Sequence, residues 1–186
     1  MAASTHVAAL GDLGETLIQA GRRDDARVVI VEAVEEARRS DLTLSAAWGV
    51  GQLAFIDLLE GDYESAGREL ASALTHARSV YPFETEMLHG LGYAYLGLGR
   101  RSDARATFGD LLEFASGSGQ AINPEVALAL CGVALAVEPG DLRAGARLRG
   151  AVAKLRQDAG GPKRTMWRKD EELERRFEQP VIDALG

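Results

Sequence analysis

Apolar and polar residues recur with the spacing of an amphipathic helix along most of this chain, and glycines separate the helical stretches. The clearest stretch, residues 87–108, predicts two helices joined by a tight turn at Gly99. Glycine is favoured there because it tolerates the positive φ that ends many helices. The apolar positions are Leu88, Leu91 and Tyr95 in the first helix, and Ala104 and Phe108 in the second. Such a helix pair cannot bury its apolar face alone, so we expect further copies.

The same pattern recurs when the chain is aligned on the turn glycine. The glycines are Gly21, Gly61, Gly99 and Gly140, separated by 40, 38 and 41 residues. In the first three copies an alanine follows five positions later and a large apolar residue nine positions later: Ala26 and Ile30, Ala66 and Leu70, Ala104 and Phe108. A leucine and a small residue precede each of these three glycines by eight and seven positions: Leu13–Gly14, Leu53–Ala54, Leu91–Gly92. Small residues let paired helices approach closely, and large ones fill the space to the next pair.

These offsets predict an all-α chain of four helix pairs, at residues 4–40, 42–79, 82–116 and 123–159. Pro82 and Pro124 begin the third and fourth pairs. Proline is favoured at the first position of a helix, because an N–H group there would make no hydrogen bond within the helix. Asn123 is the predicted N-cap of the fourth pair, and residues 116–120 form the loop before it. The fourth pair is degenerate because Gly145 replaces the alanine, as expected of a terminal repeat.

A separate charged segment, residues 163–186, ends the sequence. Its apolar residues lie mostly four apart and form one stripe of an amphipathic helix: Trp167, Leu173, Phe177, Val181 and Leu185. Pro180 predicts an interruption near the end of this helix. The stripe has two interpretations, a helix that caps the last repeat or a helix that binds a partner or dimerises.

The order of residue types in the pairs, L-x-x-L-G-x-x-Y and then G, A and F, resembles the tetratricopeptide (TPR) repeat. The resemblance implies a TPR-like right-handed solenoid of about four helix-turn-helix pairs plus a C-terminal capping helix. In that family the first helix of each pair lines a concave groove that holds the partner. The matching positions are Trp48, Gly51 and Phe55 in the second pair, Glu86, His89 and Tyr93 in the third, and Ala8, Gly11 and Glu15 in the first.

The aromatic residues at these positions suit an apolar or amphipathic helical peptide, since aromatic side chains dominate binding hot spots. The alternative is that they pack one repeat against the next. TPR domains that bind chaperones clamp a C-terminal carboxylate with Lys, Asn and Arg. This chain has Gly11, Glu15 and Gln52 instead, so we expect no binding of a chaperone tail.

Residues 140–162 and the final Leu185–Gly186 resemble the end of the TPR region in large bacterial transcriptional regulators of the LuxR and SARP types. The matching residues of the first stretch are Gly140, Asp141, Ala146, Arg147, Leu148, Gly150, Ala151, Leu155 and Arg156. The resemblance implies a sensory or protein-interaction module. The sequence contains neither the ATPase nor the DNA-binding domain of those regulators. We therefore expect either a stand-alone adaptor or a portion of a larger regulator.

Composition and charge exclude several classes of function. The formal net charge of −7 over 186 residues argues against direct nucleic-acid binding. The single cysteine, Cys131, excludes an intramolecular disulfide and a cysteine-rich zinc site, and its apolar surroundings are typical of a buried residue. No apolar run has the ~18 residues that a membrane helix needs. The N-terminus lacks the basic region of a signal peptide, so we expect a cytoplasmic protein.

The sequence also lacks the motifs of common catalytic sites. It has no nucleotide-binding loop, no paired-histidine zinc motif and no nucleophile elbow, and His6, His76 and His89 are far apart. We expect no enzymatic activity, no cofactor and no metal. The leading hypothesis is a non-catalytic scaffold, in a bacterial transcriptional regulator, that binds a protein or peptide segment. The alternatives are a small-molecule sensor with its ligand around Trp48, Phe55 and Tyr93, and a self-association module that forms a homodimer.

Overall fold

The computed structural model describes residues 2–78, 80, 83–116, 124–137, 142–158, 169 and 171–177. Within those ranges the chain is helical and contains no strand, which confirms the predicted all-α class. The helices are α1 (Ala2–Gln19), α2 (Arg23–Arg39), α3 (Thr43–Glu60), α4 (Tyr63–Ala77), α5 (Phe83–Gly97), α6 (Arg101–Ser116), α7 (Pro124–Leu135) and α8 (Leu142–Asp158). Residues 171–177 are also helical. No helix in these ranges is both long and apolar enough to cross a bilayer.

The chain divides into two compact units, Met1–Gly90 and Leu91–Gly186, and the division falls within α5. In unit 1, α1 packs on α2, α3 packs on α4, and α2 and α1 both contact α3. In unit 2, α7 packs between α6 and α8. Neighbours along the chain are therefore neighbours in space within each unit. The predicted boundary at residue 162 lies outside the described residues.

Three turns join helices with the same backbone geometry, as the glycine pattern predicts. Gly21, Gly61 and Gly99 have φ values of 78°, 91° and 71°, in the left-handed region that L side chains disfavour. At each turn the glycine N–H donates to the carbonyl three residues earlier, and the next N–H donates to the carbonyl five residues earlier. This pair of bonds satisfies carbonyls that the helix end leaves free. The turn predicted at Gly140 lies outside the described residues.

The connection between α2 and α3 adopts the same geometry without a glycine. Asp41 has a φ of 55°, and its N–H donates to the Arg38 carbonyl at 3.3 Å. The Leu42 N–H donates to the Ala37 carbonyl at 2.8 Å. Aspartate is one of the few non-glycine residues that visit the left-handed region, because its side chain bonds locally.

Short side-chain bonds follow the glycine turns. Arg22 donates from Nε to Asp25 at 2.7 Å, and Arg100 donates from Nε to Asp103 at 2.6 Å. In the turn between α3 and α4 the carboxylate of Asp62 accepts from the Ser65 N–H at 3.0 Å instead. Each of these bonds lies in the first turn of the following helix, where it helps to fix the helix start.

The small and large residues of the repeat meet inside the helix pairs. A Cβ atom added to Gly14 would overlap the side chain of Ile30, and one added to Gly92 would lie 2.5 Å from Cζ of Phe108. The Phe108 ring also covers Gly132 of α7. In these two pairs the residue seven positions before the turn glycine therefore packs against the residue nine positions after it. The large residues were expected to fill the space to the next pair, and Phe108 does this as well, at Gly132.

Gly145, which departs from the alanine of the other copies, lies close to the end of α7. A Cβ atom there would be 3.1 Å from the carbonyl oxygen of Ala134. The exception in the repeat thus has a packing reason. The remaining features predicted at Pro82, Asn123, Trp167, Pro180, Val181, Leu185 and residues 117–120 fall outside the described residues.

Candidate functional site

In unit 1 the first predicted position on α3, Trp48, belongs to a half-buried aromatic pair. The indole of Trp48 stacks on the ring of Phe83 at the start of α5, with 4.5 Å between ring centroids and an interplanar angle of 27°. Both residues keep part of their surface in solvent. Glu86, one helical turn after Phe83, is also half-buried. Trp48, Phe83 and Glu86 form what we call the α3–α5 surface.

The next two positions on α3 face inward. Gly51 is buried, and a Cβ atom added there would overlap the side chain of Met87 on α5. Phe55 is 1% exposed, and its ring fills the space beside Gly90, where a Cβ would lie 2.8 Å from Cζ of Phe55. These contacts are packing contacts within unit 1. A binding role for either residue stays a prediction.

A buried amide connects α3 to α1 in the same unit. The side chain of Gln52 is 2% exposed, and its Nε2 donates to the Gly11 carbonyl at 3.2 Å and to Glu15 Oε2 at 3.4 Å. Its Oε1 atom has no hydrogen-bond partner among the described residues. Gly11 and Glu15 are predicted groove positions of the first pair, and both contact the side chain of Gln52. Ala8, the third such position, is exposed.

The predicted positions on α5 show the same burial as those on α3, with one half-buried residue followed by two buried ones. His89 is 4% exposed, and every residue from 87 to 94 is buried. Glu84 on the same helix is buried as well and accepts a hydrogen bond from Arg78 at 3.0 Å. His89 is therefore held inside the protein, while Glu86 is the predicted α5 position that keeps part of its surface exposed.

Tyr93, the last predicted position, belongs to unit 2 and is 1% exposed. It meets Phe108 edge to face, with 5.6 Å between centroids and an angle of 83°. On another side it meets Phe177 of the terminal helical residues at 5.5 Å and 32°. A residue that the resemblance places at a ligand-contact position is thus covered by a later segment of its own chain.

The same segment also lies against α7. The thiol of Cys131 donates to Oε1 of Glu174 at 3.0 Å, and Leu173 is fully buried. Cys131 is 2% exposed, which confirms that it is a buried residue. Residues 171–177 therefore cover Tyr93 and Cys131, which we call the Tyr93–Cys131 face. The sequence suggested a helix over the last repeat as one of two interpretations, but not this pairing of side chains, because Cys131 and Glu174 are 43 residues apart.

Charged residues outside these surfaces form structural pairs. Arg27 of α2 donates to Asp57 at 2.9 Å and to Glu60 at 2.8 Å on α3. Burial disfavours the charge of Arg27, but bonding to Asp57 and attraction to both carboxylates outweigh it and raise its pKa. No cluster of His, Cys, Asp and Glu that could hold a metal occurs in the described part of the chain.

Two surface grooves of about 300 and 310 Å³ lie on another side of unit 1, along α2, α3 and α4. Both are bordered by Arg38 and Val50, and the first also by His76. Neither includes a predicted groove residue. A small molecule bound in these grooves would therefore not touch Trp48 or Phe55.

No family model matches this chain, and no curated protein matches it either. The TPR resemblance and the narrower resemblance to bacterial regulators therefore stand on the residues that carry them.

Proposed function

We propose that this protein is a non-catalytic scaffold that binds a protein or peptide segment through the first helices of a TPR-like solenoid. The three equivalent glycine turns and the small-to-large packing inside the helix pairs support a repeat architecture of this kind. The resemblance of residues 140–162 to LuxR-type and SARP-type regulators supports a regulatory role in bacterial transcription. In this proposal the protein acts from the cytoplasm as an interaction module.

The observation that carries the proposal is the stacked pair of Trp48 and Phe83. Two large aromatic rings remain half-exposed, although most apolar side chains nearby are buried. Aromatic residues held rigidly by a neighbour lose little entropy on binding, which is why they are frequent binding hot spots. Glu86 adds a negative charge to the same surface. The partner that fits best is an apolar helix face flanked by Lys or Arg.

The test is a selection of helical peptides from a displayed library against the intact chain. Titration calorimetry then compares the selected peptides on the wild type, on Trp48→Ala and on Glu32→Gln. Glu32 is an exposed residue of α2 and serves as the matched control. We expect Trp48→Ala to weaken binding about tenfold or more, the usual size of a hot-spot effect. Unchanged affinity in a Trp48→Ala protein with intact circular dichroism would rule out the α3–α5 surface.

Self-association is the second candidate, and a specific surface favours it. Val28 and Val31 on α2 are 70% and 40% exposed, and Leu13 on α1 is 47% exposed. Exposed large apolar residues on two helices that pack together offer apolar surface that a second copy could cover. Light scattering over a wide concentration range should show a dimer that Val28→Lys dissociates. A monomer at every concentration would remove this candidate.

A further inference from the structure

One face of α2 carries a regular row of exposed residues. They are spaced alternately four and three positions apart, which keeps them on one side of the helix. Two of them are apolar, with 70% and 40% of their surface in solvent. We call this row the α2 stripe: Asp24, Val28, Val31, Glu35 and Arg38. The alternation of four and three is the spacing of the seam along which two helices pack in a coiled coil.

The two ends of the α2 stripe carry opposite charges. Neither the Asp24 carboxylate nor the Arg38 guanidinium makes an ion pair or a side-chain hydrogen bond with any described residue. The adjacent Asp25 and Arg39 differ, because each is paired with a residue three positions away. Asp24 and Arg38 also complement the dipole of α2, but the dipole does not take up the hydrogen bonds that these side chains can make. Both groups are therefore free to pair with a second molecule.

The α2 stripe is complementary to itself when two copies lie antiparallel. Val31 is midway between Asp24 and Arg38, seven residues from each, or about 10 Å along the helix axis. A two-fold axis through Val31 therefore places Asp24 of each copy beside Arg38 of the other. The exposed valines meet their own copies between these two charge pairs. A parallel arrangement would instead bring like charges together at both ends.

Apolar surface continues beside the stripe in a groove of about 310 Å³. Val31 and Arg38 border this groove, together with Val50 and Leu53 of α3. Val50 and Leu53 are half-buried, so a helix laid along α2 would cover part of them as well. Specific interfaces bury about 1,200 Å² or more in total. The groove therefore adds apolar area to what the two valines alone offer a second copy.

We propose that α2 is the interface of a homodimer, in which two copies pack antiparallel about Val31 with Asp24 of each against Arg38 of the other. This inference rests on self-association, the second candidate function, and adds its surface, orientation and symmetry. Such an interface is closed, so assembly stops at two copies. The charges at its ends fix the orientation more than they add affinity.

Charge reversal tests the orientation, with dimerisation of the intact chain measured by sedimentation. Asp24→Arg sets arginine against arginine, and Arg38→Asp sets aspartate against aspartate. We expect each variant alone to dimerise about tenfold more weakly, because the symmetry repeats each change twice. An equimolar mixture of the two variants should dimerise as the wild type does. In a mixed dimer both ends again carry one arginine and one aspartate.

Glu64 provides the matched control. It lies three positions after Gly61, as Asp24 lies three positions after Gly21, and it is exposed in the first turn of α4. Glu64→Arg therefore makes the same change at a helix start without altering α2, and its dimerisation should equal that of the wild type. Undiminished dimerisation of Asp24→Arg, or a mixture no tighter than the single variants, would overturn the proposal.

Cross-linking tests the position of the two-fold axis. Val31→Cys places a thiol on the axis, so this variant should form a disulfide-linked dimer under mild oxidation. The wild type is one control, since its only cysteine, Cys131, is 2% exposed. Ala8→Cys, at an exposed position of α1, is the other and should not cross-link. Equal cross-linking of the two variants would argue against α2 as the interface.

The outcomes also separate this inference from the proposed functions. A dimer that is insensitive to the charge of Asp24 and Arg38 would overturn the α2 interface and retain self-association through another surface. A monomer at every concentration would overturn both. Neither result affects peptide binding at the α3–α5 surface, and Trp48→Ala should dimerise as the wild type does.

Discussion

Gly145 of α8 lies so close to Ala134 of α7 that a Cβ atom on Gly145 would be 3.1 Å from the Ala134 carbonyl oxygen. A backbone carbonyl at a helix end cannot move aside as a flexible side chain can. An alanine at this position would be favoured by helix propensity but disfavoured by its close contact with α7.

Gly145→Ala should give no increase in stability, although alanine is favoured over glycine by about 1 kcal/mol in a helix interior. Gly150 is the matched control, because it lies in the same helix with nothing within 4 Å of an added Cβ. Gly150→Ala should raise the free energy of unfolding by about 0.5–1 kcal/mol. Urea denaturation of both variants measures the difference. A gain in Gly145→Ala equal to that of the control would show that α8 has room at Gly145.

Asp41→Gly should stabilise the protein by up to about 1 kcal/mol, because glycine adopts the left-handed φ of 55° without the steric cost of a Cβ. Gly99→Ala makes the opposite change at an equivalent turn with a φ of 71°, and it should destabilise by about 1 kcal/mol or more. Thermal unfolding of the pair should shift the melting temperature in opposite directions. A lower melting temperature for Asp41→Gly would mean that the carboxylate of Asp41 contributes more than its backbone strain costs.

Arg101→Ala should lower the free energy of unfolding by about 1–3 kcal/mol, because the side chain donates to the carbonyl oxygens of Leu135 at 3.1 Å and Val137 at 3.0 Å. Leu135 is the last residue of α7 and Val137 follows it, so Arg101 lies at the C-terminal end of α7, where a cation is also favoured by the helix dipole. Arg105 is exposed on the same helix α6, and Arg105→Ala is the control. Equal denaturation midpoints for the two variants would contradict the role given to Arg101.

Phe108→Ala should cost about 3–5 kcal/mol, since its ring is fully buried between Gly92 and Gly132 and the cavity left behind cannot collapse easily. Phe114 lies on the same helix and is half-buried, so Phe114→Ala should cost clearly less. Denaturation by guanidinium measures both. A larger loss at Phe114 would argue against the small-to-large packing as the main source of stability in unit 2.

The sequence was sufficient to predict most of the helices because their signals are local. Apolar periodicity, the turn glycines and the prolines all act within a few residues, and α2, α3 and α4 fall within the predicted pairs 4–40 and 42–79. The left-handed Asp41 was not predicted, since aspartate has no strong sequence signal for that conformation. The left-handed turn between α2 and α3 was not predicted for the same reason.

The candidate site was less predictable because burial depends on distant parts of the chain. The periodicity of α5 places Leu88 and Leu91 on its apolar face, so His89 and Tyr93 are expected on the other side. In the structure both sides are covered, and the cover of Tyr93 includes Phe177, which is 84 residues later in the sequence. No local pattern encodes such a contact. The half-exposed Trp48 was predictable because it lies near the start of its helix.

The turns at Gly21 and Gly99 have nearly the same sequence and the same side-chain bond. Residues 21–26 read GRRDDA and residues 99–104 read GRRSDA, and both close with an Arg–Asp bond three residues apart. The backbone bonds that close these turns lie within a few residues of the glycine. The geometry of these turns therefore depends mainly on their own residues. A helix pair bounded by such turns can be duplicated, lost or exchanged as a module without requiring new residues elsewhere to close it.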